Sequence, residues 1–129
     1  MFYEGVIFIM KKYGIVILAD VTTGSKEALG RVLNALVLAN DLFSRGDDVK
    51  VFFQGAGTRC INVLEESSHL GHVLYKNIKD KVCASKACSS AFGANVTTVP
   101  LLSEFEIKDL GGATSLAKYI HDGYSMVSF

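Results

Sequence analysis

Residues 13–19, Y-G-I-V-I-L-A, followed by Asp20, are the stretch from which the architecture is read. The run is apolar without polar alternation, rich in β-branched residues and too short for a helix. That combination predicts a strand buried on both faces, as in parallel sheets. Turn-forming Thr22, Thr23, Gly24 and Ser25 close it. Ser25–Ser44 then reads as a long helix, with Ser25 as N-cap and Glu27 in the first turn. Leu29, Val32, Leu33, Leu36, Ala39 and Phe43 fall on one face, while Val37, Leu38 and Leu42 widen the apolar arc. Gly46 stands where a helix takes a left-handed C′ residue.

Further outward, Val49–Phe53 reads as a second strand, and Gly55-Ala56-Gly57-Thr58 as a tight turn into a helix from Arg59 to Glu66. Leu74–Val82 has helical spacing through Leu74, Ile78 and Val82, and Ser85–Phe92 forms a short helix closed by Gly93. Val96–Leu102 is strand-like, with Pro100 marking a strand end or edge. Thr114–His121 is a last helix and Tyr124–Phe129 a terminal strand. Strands alternating with helices imply βαβ units, right-handed crossovers and a mainly parallel sheet in one α/β domain.

Composition narrows the classes. The 129 residues match one domain, since domains of ~100–150 residues are the commonest size. Twelve glycines and one proline, with half the residues apolar, exclude low-complexity and disordered readings. Thirteen basic and thirteen acidic side chains leave no global field for nucleic acid or an anionic membrane. The positive mean hydropathy implies a sheet covered on both faces or apolar surface shared between subunits.

At the N-terminus, Lys11 and Lys12 follow the apolar stretch rather than precede it, which is the wrong order for a secretory signal. Met10-Lys11-Lys12 before a strand reads as an ordinary protein start. Residues 1–12 are therefore expected to be an N-terminal extension or loosely attached segment, with the domain proper at 13–129. No run reaches the ~18 apolar residues of a membrane span. Three cysteines without framework spacing fit a reducing, cytoplasmic compartment.

Gln54-Gly55-Ala56-Gly57-Thr58-Arg59-Cys60 lies between a strand and a helix, where a phosphate-binding turn would sit. Cys60 replaces the third glycine of G-x-G-x-x-G, and no P-loop Lys-Ser/Thr follows. No dinucleotide or other cofactor is expected. Gly55, Gly57, Thr58 and Arg59 make a candidate anion site; the plainer reading is a turn that needs glycine for its backbone angles.

Val82-Cys83-Ala84-Ser85-Lys86-Ala87-Cys88 is the most chemistry-bearing segment. With Ser85 as cap, Cys88 falls at the third helical position, where free N–H groups and Lys86 favour a thiolate. A thiolate there could accept sulfur or attack a disulfide; the plainer reading is a small core residue. On one helix Cys83 and Cys88 would point about 140° apart, so they pair only if residues 83–85 leave the helix. Cys60 reads as core. His69 and His72 lie in a Ser/Gly loop without zinc-ligand spacing, and no metal is expected. Asp20, at the end of the first strand, is a candidate polar site residue.

Together, I-V-I-L-A-D at 15–20, V-F-F-Q-G-A-G-T at 51–58, C-S-S-A-F-G-A at 88–94 and G-Y-S-M-V-S-F at 123–129 resemble the DsrE-like family, related to the sulfur-relay proteins DsrE and TusD. The resemblance covers nearly all of residues 13–129 and is closest to single-domain members. It implies a three-layer, flavodoxin-like domain, with an open, mainly parallel sheet of about five strands and helices on both faces. It also implies a homo-oligomer, trimeric or hexameric. In sulfur-relay relatives, a cysteine after the third strand carries sulfur as a persulfide. Single-domain relatives often read Gly-Val-Cys-x-x-Cys-Ala-x-Ala-Phe-Gly, and aligning Ala91-Phe92-Gly93 puts Cys88 on the second cysteine. The first falls at Ser85, unless two residues are inserted and Cys83 takes its place.

Two functions follow as expectations. In the first, the protein handles sulfur or thiol redox chemistry with a donor or acceptor protein. Cys88 is then the acceptor, Cys83 a resolving or second thiol, and Lys86 an electrostatic activator. In the second, it is a non-catalytic oligomeric module that binds a small anion at 55–59 or docks a protein, with its cysteines in the core.

Overall fold

The computed structural model describes residues 9–129 and, before them, the backbone of two short strands, β1 (Phe2–Tyr3) and β2 (Val6–Ile7), paired antiparallel. Of the expected extension over residues 1–12, Met1, Glu4, Gly5 and Phe8 lie outside the described residues, whereas Lys12 already opens the first strand of the main sheet. Five strands form the main sheet: β3 (Lys12–Ile17), β4 (Asp48–Phe53), β5 (Val82–Ser85), β6 (Leu101–Leu102) and β9 (Ser125–Ser128). Their order is β6-β5-β4-β3-β9, and every pairing is parallel. The α/β fold is as expected: β3 is an interior strand covered on both faces, so it reads as a continuous apolar run.

One face of the sheet carries Ile15, Ile17, Val49, Val51 and Phe53, packed against α1 (Lys26–Ser44), α2 (Cys60–Leu64) and α3 (His72–Asn77). The other presents Val16 and Phe52 to Tyr119 of α5 (Leu116–His121) and to Tyr124. The Phe52 and Tyr119 rings lie 4.9 Å apart, tilted at 60°. These two clusters are the cores of a three-layer domain.

α1 starts as its sequence implies: the Ser25 hydroxyl accepts from the Ala28 N–H. It ends at Gly46, whose φ of 92° is left-handed. Val32, Ala35, Leu36 and Ala39 are its buried stripe. Leu38 and Leu42, outside the expected stripe, still pack against the core, whereas Val37 is half exposed. Most of the wide arc therefore serves this chain's own core.

Three segments differ from the periodicity. The helix expected over 74–82 stops at Asn77, a single-turn 3-10 helix occupies Lys79–Lys81, and Val82 opens β5. Pairing of Val82, Cys83 and Ala84 with Val51, Phe52 and Phe53 overrides the local helical pattern. The strand expected over 96–102 contracts to the two residues of β6, at the sheet edge beside Pro100. An unexpected antiparallel hairpin, β7 (Phe105–Ile107) with β8 (Gly111–Ala113), precedes α5.

Candidate functional site

Because β5, β4 and β3 are neighbours and parallel, the residues just beyond their carboxyl ends share one edge of the sheet. Open α/β sheets place ligands at this edge. Here it carries Asp20 after β3, Gln54 after β4, and Ser85 and Cys88 at the β5 exit into α4 (Lys86–Ala91).

Ser85 is fully buried, and its hydroxyl accepts from the Cys88 N–H at 3.2 Å. This cap sets the first turn of α4 and puts Cys88 at its third position, as expected. Cys88 is half-buried, and its thiol donates to Gln54 Oε1 at 3.8 Å. Gln54 is only 8% exposed, and its Nε2 has no hydrogen-bond partner. Lys86 is exposed at the first helical position.

The other two thiols are situated differently. Cys60 Sγ donates to the Ala19 carbonyl at 3.2 Å and accepts from the Val21 N–H at 3.4 Å. Burial pushes this thiol up to about 11, the Val21 N–H offsetting only part of that cost. Cys83 turns toward the α5 face, with Sγ 3.6 Å from the Val51 carbonyl. Burial pushes it up to about 12, although Lys50 acts the other way. Residues 83–85 do leave the helix, yet the strand directs Cys83 into the cluster under α5 while Cys88 meets Gln54.

The Gly-rich segment is a 3-10 turn, Gly55–Arg59. Its geometry explains Gly57: a Cβ there would lie 2.2 Å from the Ile17 carbonyl oxygen, so the turn packs directly on the β3 backbone. The Gly57 N–H donates to the Gln54 carbonyl at 2.9 Å, and the Thr58 hydroxyl to the Gly55 carbonyl at 2.8 Å. These donors are engaged within the turn. Arg59 bridges outward, Nε donating to the Phe92 carbonyl at 2.8 Å and Nη1 lying 3.3 Å from Asp20 Oδ2. Its guanidinium also lies 5.7 Å from the centre of the Phe92 ring. Asp20 is buried and accepts from the Thr22 N–H at 2.9 Å. Arg59 thereby ties the end of α4 to the loop after β3.

His69 Nδ1 accepts from the Gly71 N–H at 3.0 Å, and His72 Nδ1 lies 2.8 Å from the Leu64 carbonyl, so both rings organise the α2–α3 connection. Among the described residues, no three His, Cys, Asp or Glu side chains come together as a metal-binding group. Nor is any described helix long and apolar enough to cross a membrane. The strand order reverses between β3 and β9. The depression of about 500 Å³ there is lined by Leu18, Ala19, Arg31, Ser128 and Phe129 and holds no thiol.

Gln54 is the site residue that sequence reasoning passes over. Its signal was positional: a polar residue directly after V-F-F, at the same strand end as Asp20 on β3.

The chain is 27% identical over 97 residues to an uncharacterized protein of Methanocaldococcus jannaschii, covering 74% of this chain and 78% of that protein. No solved structure gives a significant match. A family model described as DsrE/DsrF-like matches residues 11–129, which takes in all five strands of the sheet and the edge carrying Asp20, Gln54 and Cys88, and the chain therefore belongs to the DsrE/DsrF-like family.

Proposed function

We propose that this protein is a cytoplasmic sulfur carrier in which the Cys88 thiolate takes sulfane sulfur as a persulfide from a donor and passes it to an acceptor protein. Membership of the DsrE/DsrF-like family supports a sulfur-relay role in general terms. The observation that carries the residue assignment is the contrast among the three thiols. Cys60 is buried in the core and Cys83 packs against the cluster under α5, whereas Cys88, as partly exposed as Cys83, stands at the carboxyl edge of the sheet against a buried amide. A nucleophilic cysteine must be reachable, and the carboxyl edge is where open α/β sheets receive ligands. In this reading exposed Lys86 adds positive charge at the start of α4, and Cys83 is a packing residue rather than a partner thiol.

The alternative, an anion-binding or docking module, has less support because the Gly57 and Thr58 donors are engaged within their own turn. The carrier is proposed to work as a homo-oligomer. Exposed Phe105, Leu110 and Ile120 on the β7–β8 hairpin and α5 supply apolar surface for such contacts, and sedimentation showing a monomer would remove this part. The test of the main reading is iodoacetamide labelling of the native protein with mass mapping. Cys88 is expected to react first, and Cys88→Ser to abolish persulfide formation. An unreactive Cys88 beside reactive Cys60 and Cys83 would overturn the proposal.

A further inference from the structure

We propose that Gln54 is a positioning residue for the carried sulfur, its side-chain N–H holding the terminal sulfur of a Cys88 persulfide as an anion. This deepens the reading above and rests on it. The Gln54 side chain is more than nine-tenths buried, its Oε1 is 3.8 Å from Cys88 Sγ, and its Nε2 has no partner. A buried donor without an acceptor carries a desolvation cost that no bond offsets, so a native protein that retains one at a reactive thiol has a reason to keep it.

The chemistry supplies that reason. A neutral thiol is a weak donor, and Oε1 accepts from it. Once sulfur at this position carries negative charge, a facing carbonyl oxygen repels it and an N–H attracts it. The terminal torsion of glutamine is broad and roughly two-fold, so a half-turn exchanges the two groups. The half-turn breaks no bond at Nε2, because none is made there. A charge-assisted hydrogen bond then replaces a weak neutral one.

The transfer balances as follows. The Cys88 thiolate attacks the outer sulfur of a donor persulfide, R–S–SH. The Sγ electron pair becomes the new S–S bond, and the donor S–S bond breaks with its pair leaving on R–S⁻. The product Cys88–S–SH gives its proton to solvent, and the resulting Cys88–S–S⁻ receives the Gln54 N–H. The donor class is a persulfide of a small thiol or of a protein.

The experiment equilibrates wild type and Gln54→Met with fixed ratios of glutathione persulfide to glutathione, and reads Cys88 occupancy by intact mass. In parallel it measures exchange of the neutral mixed disulfide Cys88–S–S–CH3 with glutathione. Gln54→Met should lower the persulfide exchange constant about tenfold and change the neutral one by less than about twofold. Gln54→Leu should repeat the result, and neither variant should melt below wild type, since each removes an unpartnered buried N–H and only one weak bond from a thiol. Uptake by wild type with an unchanged constant in both variants overturns the role of Gln54 alone. Both constants falling together also overturns it, assigning Gln54 to packing. No uptake by wild type overturns the carrier function and this inference with it.

Discussion

Cys83 and Cys88 stand either side of the Ser85 cap in different surroundings: Cys83 Sγ meets the Val51 carbonyl at 3.6 Å under α5, and Cys88 Sγ meets Gln54 Oε1 at 3.8 Å at the sheet edge. Their reactivities should separate accordingly. Burial pushes Cys60 and Cys83 up to about 11 and about 12, so both remain thiols from neutral pH to about 9. Iodoacetamide mapping across that range should find Cys88 modified first throughout, with Cys83 slower and buried Cys60 reacting only on unfolding. Equal labelling of Cys83 and Cys88 in the folded protein would remove the distinction between the two thiols.

The Ser85 cap joins stability to the site. Ser85→Ala removes the acceptor of the Cys88 N–H in a fully buried position, with an expected loss of about 1 kcal/mol. A lower denaturation midpoint at unchanged slope is the measurement. Labelling of Cys88 should change more than that of Cys60, because only the first turn of α4 loses its anchor.

Much of this arrangement was legible in the residues and part was not, for physical reasons. β3, β4, the α1 cap at Ser25 and the Gly46 stop are encoded locally, in branched apolar runs and in side chains that bond their own backbone. β5 is four residues long and continues the helical spacing of Leu74 and Ile78, so only its pairing with β4 reveals it. The β7–β8 hairpin has mostly exposed residues and no strong alternation, and nothing local announces it. In the site, the Ser85 cap and the position of Cys88 could be read from seven consecutive residues, whereas the Gln54 contact joins positions 34 apart in sequence and needs β4 beside β5.

Two glycine-to-alanine changes should have opposite signs. At Gly57 a Cβ would lie 2.2 Å from the Ile17 carbonyl oxygen, a backbone atom, so Gly57→Ala should cost about 3 kcal/mol. At Gly30, inside α1, nothing lies within 4 Å of the added carbon, so Gly30→Ala should stabilise by about 0.5–1 kcal/mol through helix propensity. Thermal melts of both variants check the pair. A tolerated Gly57→Ala would mean that the 55–59 turn can lift away from β3.

Both ends of the pH range should act on the α5 face. Burial pulls the Glu104 carboxyl upward, but hydrogen bonds from Lys118, Tyr119 and the Ser115 N–H together outweigh it and hold its pKa below the ordinary 4.5. A depressed folded value means that this contribution is present above about 4.5 and is lost as pH falls through the folded pKa. The stability gap between wild type and Glu104→Gln should therefore narrow below about pH 4.5. At the alkaline end, burial and the hydrogen bond to Asp48 push Tyr124 from 10.0 up to about 12. A raised folded value reverses the sign: this contribution is complete below about 10 and is lost as pH rises toward about 12. Tyr124→Phe should decline less steeply than wild type, the raised Tyr75, Tyr119 and the Cys60 and Cys83 thiols still contributing, while starting lower at neutral pH, having lost the 2.6 Å bond to Asp48. Urea midpoints for wild type and both variants across the range measure each slope, and a wild-type decline unchanged in Tyr124→Phe would assign the alkaline transition to another group.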